Sequence, residues 1–313
     1  MNNMRLSIVI PVFNEQGSLN ALHKKLSSVL EKMDMSYEVI FIDDASTDQS
    51  SAILNEIKKQ DGKVKIITLI RNYGQTQAIS AGVDEALGEI IVTMDADLQN
   101  DPADIPRILA KLDEGYDVVS GWRKKRKDGL WLRKIPSNMA NLISVWITGV
   151  KIHDLGCALK AYRYRVLKNI EFHGEIHRLL PLYAAIQGAK ITEISVKHQK
   201  RKYGKSKYGI SRLFKVILDL FAVMFMWKFL PKPIYAFGGI GLASVSFSGA
   251  IGLFIIFRKI FLAGVWVSPL LFIFVIFFLI GIQFMLMGII AEFILRLYCG
   301  VKDIKRYKVK HKE

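Results

Sequence analysis

Residues 89–102 read EIIVTMDADLQNDP. Ile90, Ile91 and Val92 make a short apolar run rich in β-branched residues, and Asp95, Asp97 and Gln99 follow almost at once. Such a run suits a strand buried on both faces of a parallel sheet. The pattern recurs on either side. Leu6–Ile10 runs into Pro11, Val12, Phe13, Asn14 and Glu15, Val39–Ile42 runs into Asp43 and Asp44, and Val64–Ile70 is a further apolar stretch. Between the first two, Leu19, Leu22, Leu26, Val29, Leu30 and Met33 recur at helical spacing behind Ser18, a candidate N-cap. Ile53, Leu54 and Ile57 follow two more candidate caps, Ser46 and Thr47. Strands alternating with helices predict βαβ units and an α/β, Rossmann-like, mostly parallel sheet. Ligands of such sheets bind outside the carboxyl ends of the strands.

Three strand ends thus bring carboxylates to one rim. Uncompensated, they would resist ionisation, because like charges close together disfavour the charged form. A divalent cation resolves the conflict, and Mg2+ or Mn2+ takes oxygen ligands of the kind that Asp95, Asp97 and the Gln99 amide offer. A lone Asp-x-Asp is common, and Asp43-Asp44 alone reads equally well as a helix cap. Their joint placement after three apolar strands is what makes the signal specific.

The rest of the 313 residues bounds the function. With 51% hydrophobic and 23% charged residues, the chain is not disordered. Lys and Arg outnumber Asp and Glu by 44 to 28, giving +16, so a polyanionic partner is expected: nucleic acid, anionic lipid or a phosphorylated substrate. Cys157 and Cys299 lie far apart, which excludes a disulfide framework and a zinc cluster. Basic clusters fall at residues 123–134 and 197–207. They lack the interleaved aromatics of a single-strand binder, which argues against nucleic acid. No charge occurs from Ile234 to Phe257 or from Ile260 to Ala291, and each run exceeds the roughly 20 apolar residues that a bilayer core requires. The expected organisation is a catalytic domain at 1–208, amphipathic juxtamembrane helices at 209–233, spans at 234–257 and 263–291, and a basic tail at 292–313. Lysines in that tail predict a cytosolic location for it and, with two spans, for the N-terminal domain. Met1–Phe13 lacks the features of a signal peptide. Ser244, Ser248 and Gly252, with Gly281 and Gly288 on the second span, suit close helix contact, either within the hairpin or between copies.

With these residues in place, the chain resembles family 2 glycosyltransferases of the GT-A fold. Within them it is similar to polyprenyl-phosphate glycosyltransferases of the dolichol-phosphate mannose synthase and bactoprenol glucosyltransferase type. The stretches that carry the likeness are VIPVFNE (9–15), IDDASTD (42–48), RNYGQTQAISAG (71–82), MDADLQNDP (94–102), SGWR (120–123), HDLGCALKAYR (153–163), GEIHRLLP (174–181) and HQKRKYGKSKY (198–208). The resemblance implies that Pro11, Phe13, Glu15, Asp43 and Asp44 hold the nucleotide. Asp95 and Asp97 would form the metal–diphosphate motif, with Gln99 a further ligand to Mg2+ or Mn2+. Arg123 would lie near the phosphates, Arg133 and Ser137 at the lipid phosphate, and Arg201, Ser206 and Lys207 on a loop closing over the donor. Asp154 would sit near the reacting centre, orienting the acceptor or acting as a weak base. The alternative for Asp154 is a structural cap or a salt bridge to Arg163 or Arg165. No role is implied for His177 and Arg178.

The implied reaction is inverting transfer of one sugar, with UDP-glucose as first expectation and UDP-GlcNAc or another sugar close behind, to polyprenyl (undecaprenyl) phosphate at the cytosolic membrane face. The implied partners are the nucleotide-sugar donor, the polyprenyl phosphate, anionic membrane lipids and a second copy of the chain. Two competing readings are a processive polysaccharide synthase and a non-catalytic, flippase-associated membrane protein. The first would carry a QxxRW motif, which this sequence lacks. The second leaves the acids at the strand ends without a purpose.

Overall fold

The computed structural model describes residues 4–124, 145, 152–168, 170, 172, 176–199, 232–262 and 268–301. The chain divides into two units, Met1–Val223 and Met224–Glu313.

The first unit alternates as the sequence predicts. β1 (Leu6–Val12), α1 (Leu19–Leu30), β2 (Tyr37–Asp43), α2 (Ser50–Gln60), β3 (Val64–Thr68), α3 (Gln75–Asp84) and β4 (Ile90–Thr93) lead to α4 (Ile105–Asp113) and β5 (Val118–Trp122). β6 (Lys160–Arg163), α5 (Tyr164–Leu167), α6 (Leu180–Ile186) and β7 (Ile191–Ser195) complete it. The sheet order is β3-β2-β1-β4-β6-β5-β7. Every pairing is parallel except those of β6, which is antiparallel to both β4 and β5.

Both faces of the sheet are covered at its centre, which is why β1, β2 and β4 are buried and largely apolar. Ile8, Ile10, Val12 and Phe41 pack with Leu22 and Leu26 of α1 and Leu109 of α4 on one face. Val9, Ile40, Ile42 and Ile91 pack with Ile79 and Val83 of α3 on the other. Each fully buried Leu or Ile contributes roughly 1.5–3 kcal/mol, so the alternation of β1 between the two cores fixes its register firmly.

The chain first builds outward from β1 to β3 and then returns to place β4 on the other side of β1. That reversal opens a crevice beyond the carboxyl ends of β1 and β4, where a doubly wound sheet binds its ligand.

Some local expectations fail. Ser18 precedes α1 without capping it, because its hydroxyl donates to the Glu15 carbonyl (3.0 Å). Ser46 and Thr47 do not cap α2, which starts at Ser50; both bond Asn14 instead. The third strand stops at Thr68, and Ile70 is 95% exposed. Asp44 accepts the N–H groups of Tyr73 (2.7 Å) and Gly74 (2.9 Å), which draws the chain out of the sheet.

In the second unit, α7 (Pro233–Phe261) and α8 (Pro269–Val301) are both long and apolar enough to cross a membrane. They extend beyond the expected spans of 234–257 and 263–291, and the first helix runs on through Arg258 and Lys259 to Phe261. Small residues let the two helices meet. A Cβ on Gly281 would lie 2.5 Å from Val245 Cγ2, and one on Gly241 2.7 Å from the Gly281 carbonyl oxygen. Ser248 Oγ donates to the Phe274 carbonyl across the pair at 2.8 Å. The small-residue faces therefore close the hairpin on itself.

Candidate active site

Strand direction decides which residues meet. β1, β2, β4 and β5 all end at one rim, and the antiparallel β6 begins there, since Lys160 pairs with Thr93 of β4 and Ser120 of β5. The loop entering β6 therefore carries Asp154 to the rim that Glu15, Asp44, Asp95 and Arg123 reach from other strands.

Three strand-end loops each contain a non-glycine residue in the left-handed region: Asn14 (φ 55°), Ala45 (φ 56°) and Leu98 (φ 61°). This conformation is costly for residues with a Cβ and recurs where a loop is held for function. Each such residue adjoins a candidate acid. Asn14 is held by Ser46 and Thr47, Asp43 Oδ1 accepts the Ser46 N–H (2.9 Å), and Asp97 Oδ1 accepts the Gln99 N–H (3.0 Å).

On the first side of the rim, Pro11, Phe13 and Glu15 are half-buried, and Asp43 and Asp44 are buried. Burial raises the Asp44 carboxyl, and Asp43 adds to this, against the lowering effect of the two backbone donors. In the centre, Asp97 is buried and Gln99 half-buried. Asp95 Oδ1 accepts from Gln75 Nε2 at 2.7 Å. Burial pushes the Asp95 carboxyl up to about 6, with Asp97 raising it further and Arg123, Arg178 and Lys160 opposing. Two crowded carboxylates, one of them reluctant to ionise, are what a hard cation stabilises. Among the described residues no group of three His, Cys, Asp or Glu gathers as a cage. The donor set fits a cation completed by substrate oxygens, the usual habit of Mg2+.

On the other side, Arg123 and Asp154 form a buried, two-pronged ion pair. Arg123 Nε donates to Asp154 Oδ2 (2.7 Å), Nη2 donates to Oδ1 (2.9 Å), and the Arg123 backbone N–H donates to Oδ2 (3.2 Å). Burial opposes the guanidinium charge, but Asp154 outweighs it and holds Arg123 above its ordinary value. Arg163 instead pairs with Asp113, and Arg165 with Asp117, so neither takes Asp154. Glu193 accepts the His153 N–H (2.8 Å) and pairs with the His153 ring, which fixes the turn that bears Asp154.

Sequence reasoning missed two side chains here. Gln75 opens α3 and holds Asp95. Lys160 is 2% exposed, and its ammonium donates to the carbonyls of Leu155 (3.0 Å) and Arg178 (3.4 Å). It ties the Asp154 turn to the His177-Arg178 turn, which in turn reaches α3 through a Thr76 Oγ1–His177 Nδ1 hydrogen bond of 2.7 Å. Burial lowers the Lys160 ammonium to about 8. A single Lys inside the apolar run CALKAY was the available signal. Arg133, Ser137, Arg201, Ser206 and Lys207 lie outside the described residues.

The profile of glycosyl transferase family 2 matches residues 7–171, a span holding this rim. The chain belongs to glycosyl transferase family 2. Like its family, it is a glycosyltransferase. Among its relatives, the dodecaprenyl-phosphate galacturonate synthase of Rhizobium johnstonii is 42% identical over 95% of this chain and 90% of its own length. The undecaprenyl-phosphate 4-deoxy-4-formamido-L-arabinose transferase of Edwardsiella ictaluri is 36% identical over 98% of this chain and 93% of its own. Among solved structures, the glucosyl-3-phosphoglycerate synthase of Mycobacterium tuberculosis with Mn2+, UDP-glucose and phosphoglyceric acid aligns with a TM-score of 0.54 over 72% of this chain and 79% of that one, at 16% identity. That likeness establishes the GT-A fold of this glycosyltransferase and no more.

Proposed function

We propose that the chain transfers a single sugar from a nucleotide-sugar to the phosphate of a polyprenyl lipid at the cytosolic face of the cell membrane. The observation that carries this is the reach of the two relatives. They match 95% and 98% of the chain, through the apolar hairpin as well as the rim, and both are named for polyprenyl-phosphate acceptors.

The rim supplies matching chemistry. The acceptor phosphate is ionised at neutral pH, so its oxygen can attack the anomeric carbon without a base. The carbon–oxygen bond to the nucleoside diphosphate breaks with inversion, and the diphosphate leaves with the bonding pair. Asp95, Asp97 and Gln99 would hold a Mg2+ or Mn2+ ion, which when bound offsets charge on the departing diphosphate. Pro11, Phe13, Glu15, Asp43 and Asp44 hold the nucleotide. Arg123 faces the phosphates, and Asp154 orients Arg123 in preference to taking a proton. Both carboxylate oxygens of Asp154 are occupied by Arg123, and the reaction has no proton to remove. Arg133 and Ser137 meet the lipid phosphate, and Arg201, Ser206 and Lys207 close over the donor. On this reading residues 1–208 would form the catalytic domain, α7 and α8 would span the membrane, and the basic tail beyond the second span would be cytosolic; the expected juxtamembrane helices at 209–233 fall almost wholly outside the described residues.

For the donor sugar, the relatives' names favour galacturonate or 4-deoxy-4-formamido-L-arabinose over the glucose expected first from the sequence. The test incubates the purified chain in lipid vesicles with undecaprenyl phosphate and labelled UDP-linked galacturonate, 4-deoxy-4-formamido-arabinose, glucose or GlcNAc, with and without EDTA. Label should enter the organic phase from one donor and only without EDTA. Failure of every donor, or transfer to water alone, would refute the proposal.

A further inference from the structure

Leu98 sits in the left-handed region (φ 61°) between Asp97 and Gln99, so its backbone sets how those two side chains are presented. A residue with a Cβ stays in this region only where its surroundings over-determine it. Inside the loop, the Gln99 N–H donates to Asp97 Oδ1. The other ties come from residues about a hundred positions later in the chain.

Those residues are 196–199, which leave β7. On one side, the Val196 N–H donates to the Trp122 carbonyl (3.0 Å), at the end of the strand that leads to Arg123. On the other, the Gln199 N–H donates to the Gln99 carbonyl (2.9 Å), and His198 forms an antiparallel bridge with Asn100. Asn100 is buried, and its Nδ2 donates to Cys157 Sγ (3.6 Å).

One buried carboxylate fastens this segment. Asp104 is 2% exposed and precedes α4 without capping it through its side chain. Its Oδ2 accepts the Lys197 N–H (2.7 Å), and its Oδ1 accepts from Arg107 Nη1 (2.8 Å). Burying a carboxylate is costly unless it is paired and hydrogen-bonded, and these contacts supply both conditions. With both oxygens engaged, Asp104 is not itself a ligand for a cation. It closes a ring instead. The ring runs from Asp104 to Lys197, along the chain to Gln199, across to Gln99, and back through the loop to Asp104.

We propose that Asp104 is a positioning residue for the cation of the Asp95, Asp97 and Gln99 site, holding Gln99 and the strained Leu98 in place through the 196–199 segment. This role presupposes the metal reading given under the proposed function.

The test titrates Mn2+ into the full chain in detergent micelles, with and without UDP. Free ion is read from its EPR signal against a UDP blank, and thermal unfolding is followed alongside. Wild type should bind Mn2+, and Asp97→Ala should not. Asp104→Ala should weaken binding by roughly tenfold, the low end for groups that hold metal ligands in place. Asp104→Asn keeps an oxygen for the Lys197 N–H while losing the charge that pairs with Arg107, and should stay within about threefold of wild type. Gln199→Pro removes the N–H at the far end of the ring and leaves Asp104 intact, so it should match Asp104→Ala. Proline favours an extended residue before it, which the His198 bridge already requires. Wild-type Mn2+ affinity in Asp104→Ala or in Gln199→Pro overturns the positioning role alone, whatever happens to the unfolding temperature. Should Asp104→Ala fail to fold, Gln199→Pro decides: a roughly tenfold loss supports the role and an unchanged affinity overturns it. A wild-type chain that binds no Mn2+ under either condition overturns the metal reading and the role with it.

Discussion

Removing the carboxylate of Asp154 should strand Arg123. The pair is 2% and 16% exposed at its side chains, and three donors of Arg123 converge on the two Asp154 oxygens. Breaking a buried pair by deleting one partner costs about 3–5 kcal/mol, and the partial exposure of Arg123 puts this case near about 3. At roughly 2–4 °C per kcal/mol for a domain of this size, Asp154→Ala should lower the Tm by about 6–12 °C. Turnover should fall by at least about tenfold, since Arg123 is no longer held toward the phosphates. The discriminating variant is the double replacement Arg123→Met with Asp154→Leu. Replacing both members by apolar side chains leaves no orphan charge, so stability should recover by about 2–3 kcal/mol relative to the sum of the single changes. Activity should not recover. The assay pairs thermal unfolding of each variant with single-turnover transfer in vesicles. Additive losses of stability would refute the reasoning. So would wild-type turnover in Asp154→Ala.

Asp97→Ala should abolish metal-stimulated transfer by about a hundredfold or more while the unfolding transition stays cooperative, which calorimetry and transfer assays together would show. The Asp95 carboxyl, raised to about 6, binds its proton more tightly in the folded chain than in the unfolded one. Its contribution to metal-free stability is therefore greatest below about pH 4 and is lost as pH rises through 6. A divalent cation needs the ionised form, so added Mn2+ should raise the Tm more at pH 7.5 than at pH 5.5, which a thermal-shift titration measures. Lys160→Met leaves the Leu155 and Arg178 carbonyls without their donor and should cost about 1–3 kcal/mol by denaturant unfolding, with a fall in kcat larger than any rise in the donor KM. In the hairpin, Gly281→Leu would drive a side chain into Val245, and a spin-label pair across α7 and α8 should report the helices moving apart.

The strand-end acids could be read in the sequence because each lies within a few residues of its own apolar run. β-branched runs specify strands, and parallel strands share one rim, so Asp43, Asp44, Asp95 and Asp97 had to gather there wherever the helices packed. The two apolar helices were legible for a similar reason, since length and composition alone define them. Side-chain partnership across the sheet was not. Arg123 and Asp154 are 31 residues apart, Gln75 and Asp95 are 20 apart, and Thr76 and His177 are 101 apart. The meetings of Arg123 with Asp154 and of Thr76 with His177 depend on β6 entering antiparallel between β4 and β5, because Asp154 and His177 flank that strand, whereas Gln75 meets Asp95 because α3 starts at the rim where β4 ends. The same holds for Lys160, whose burial follows from its place at the start of that inserted strand. It holds too for the small residues of α7 and α8: their periodicity shows a contact face, and only the packed hairpin decides that each helix spends that face on the other.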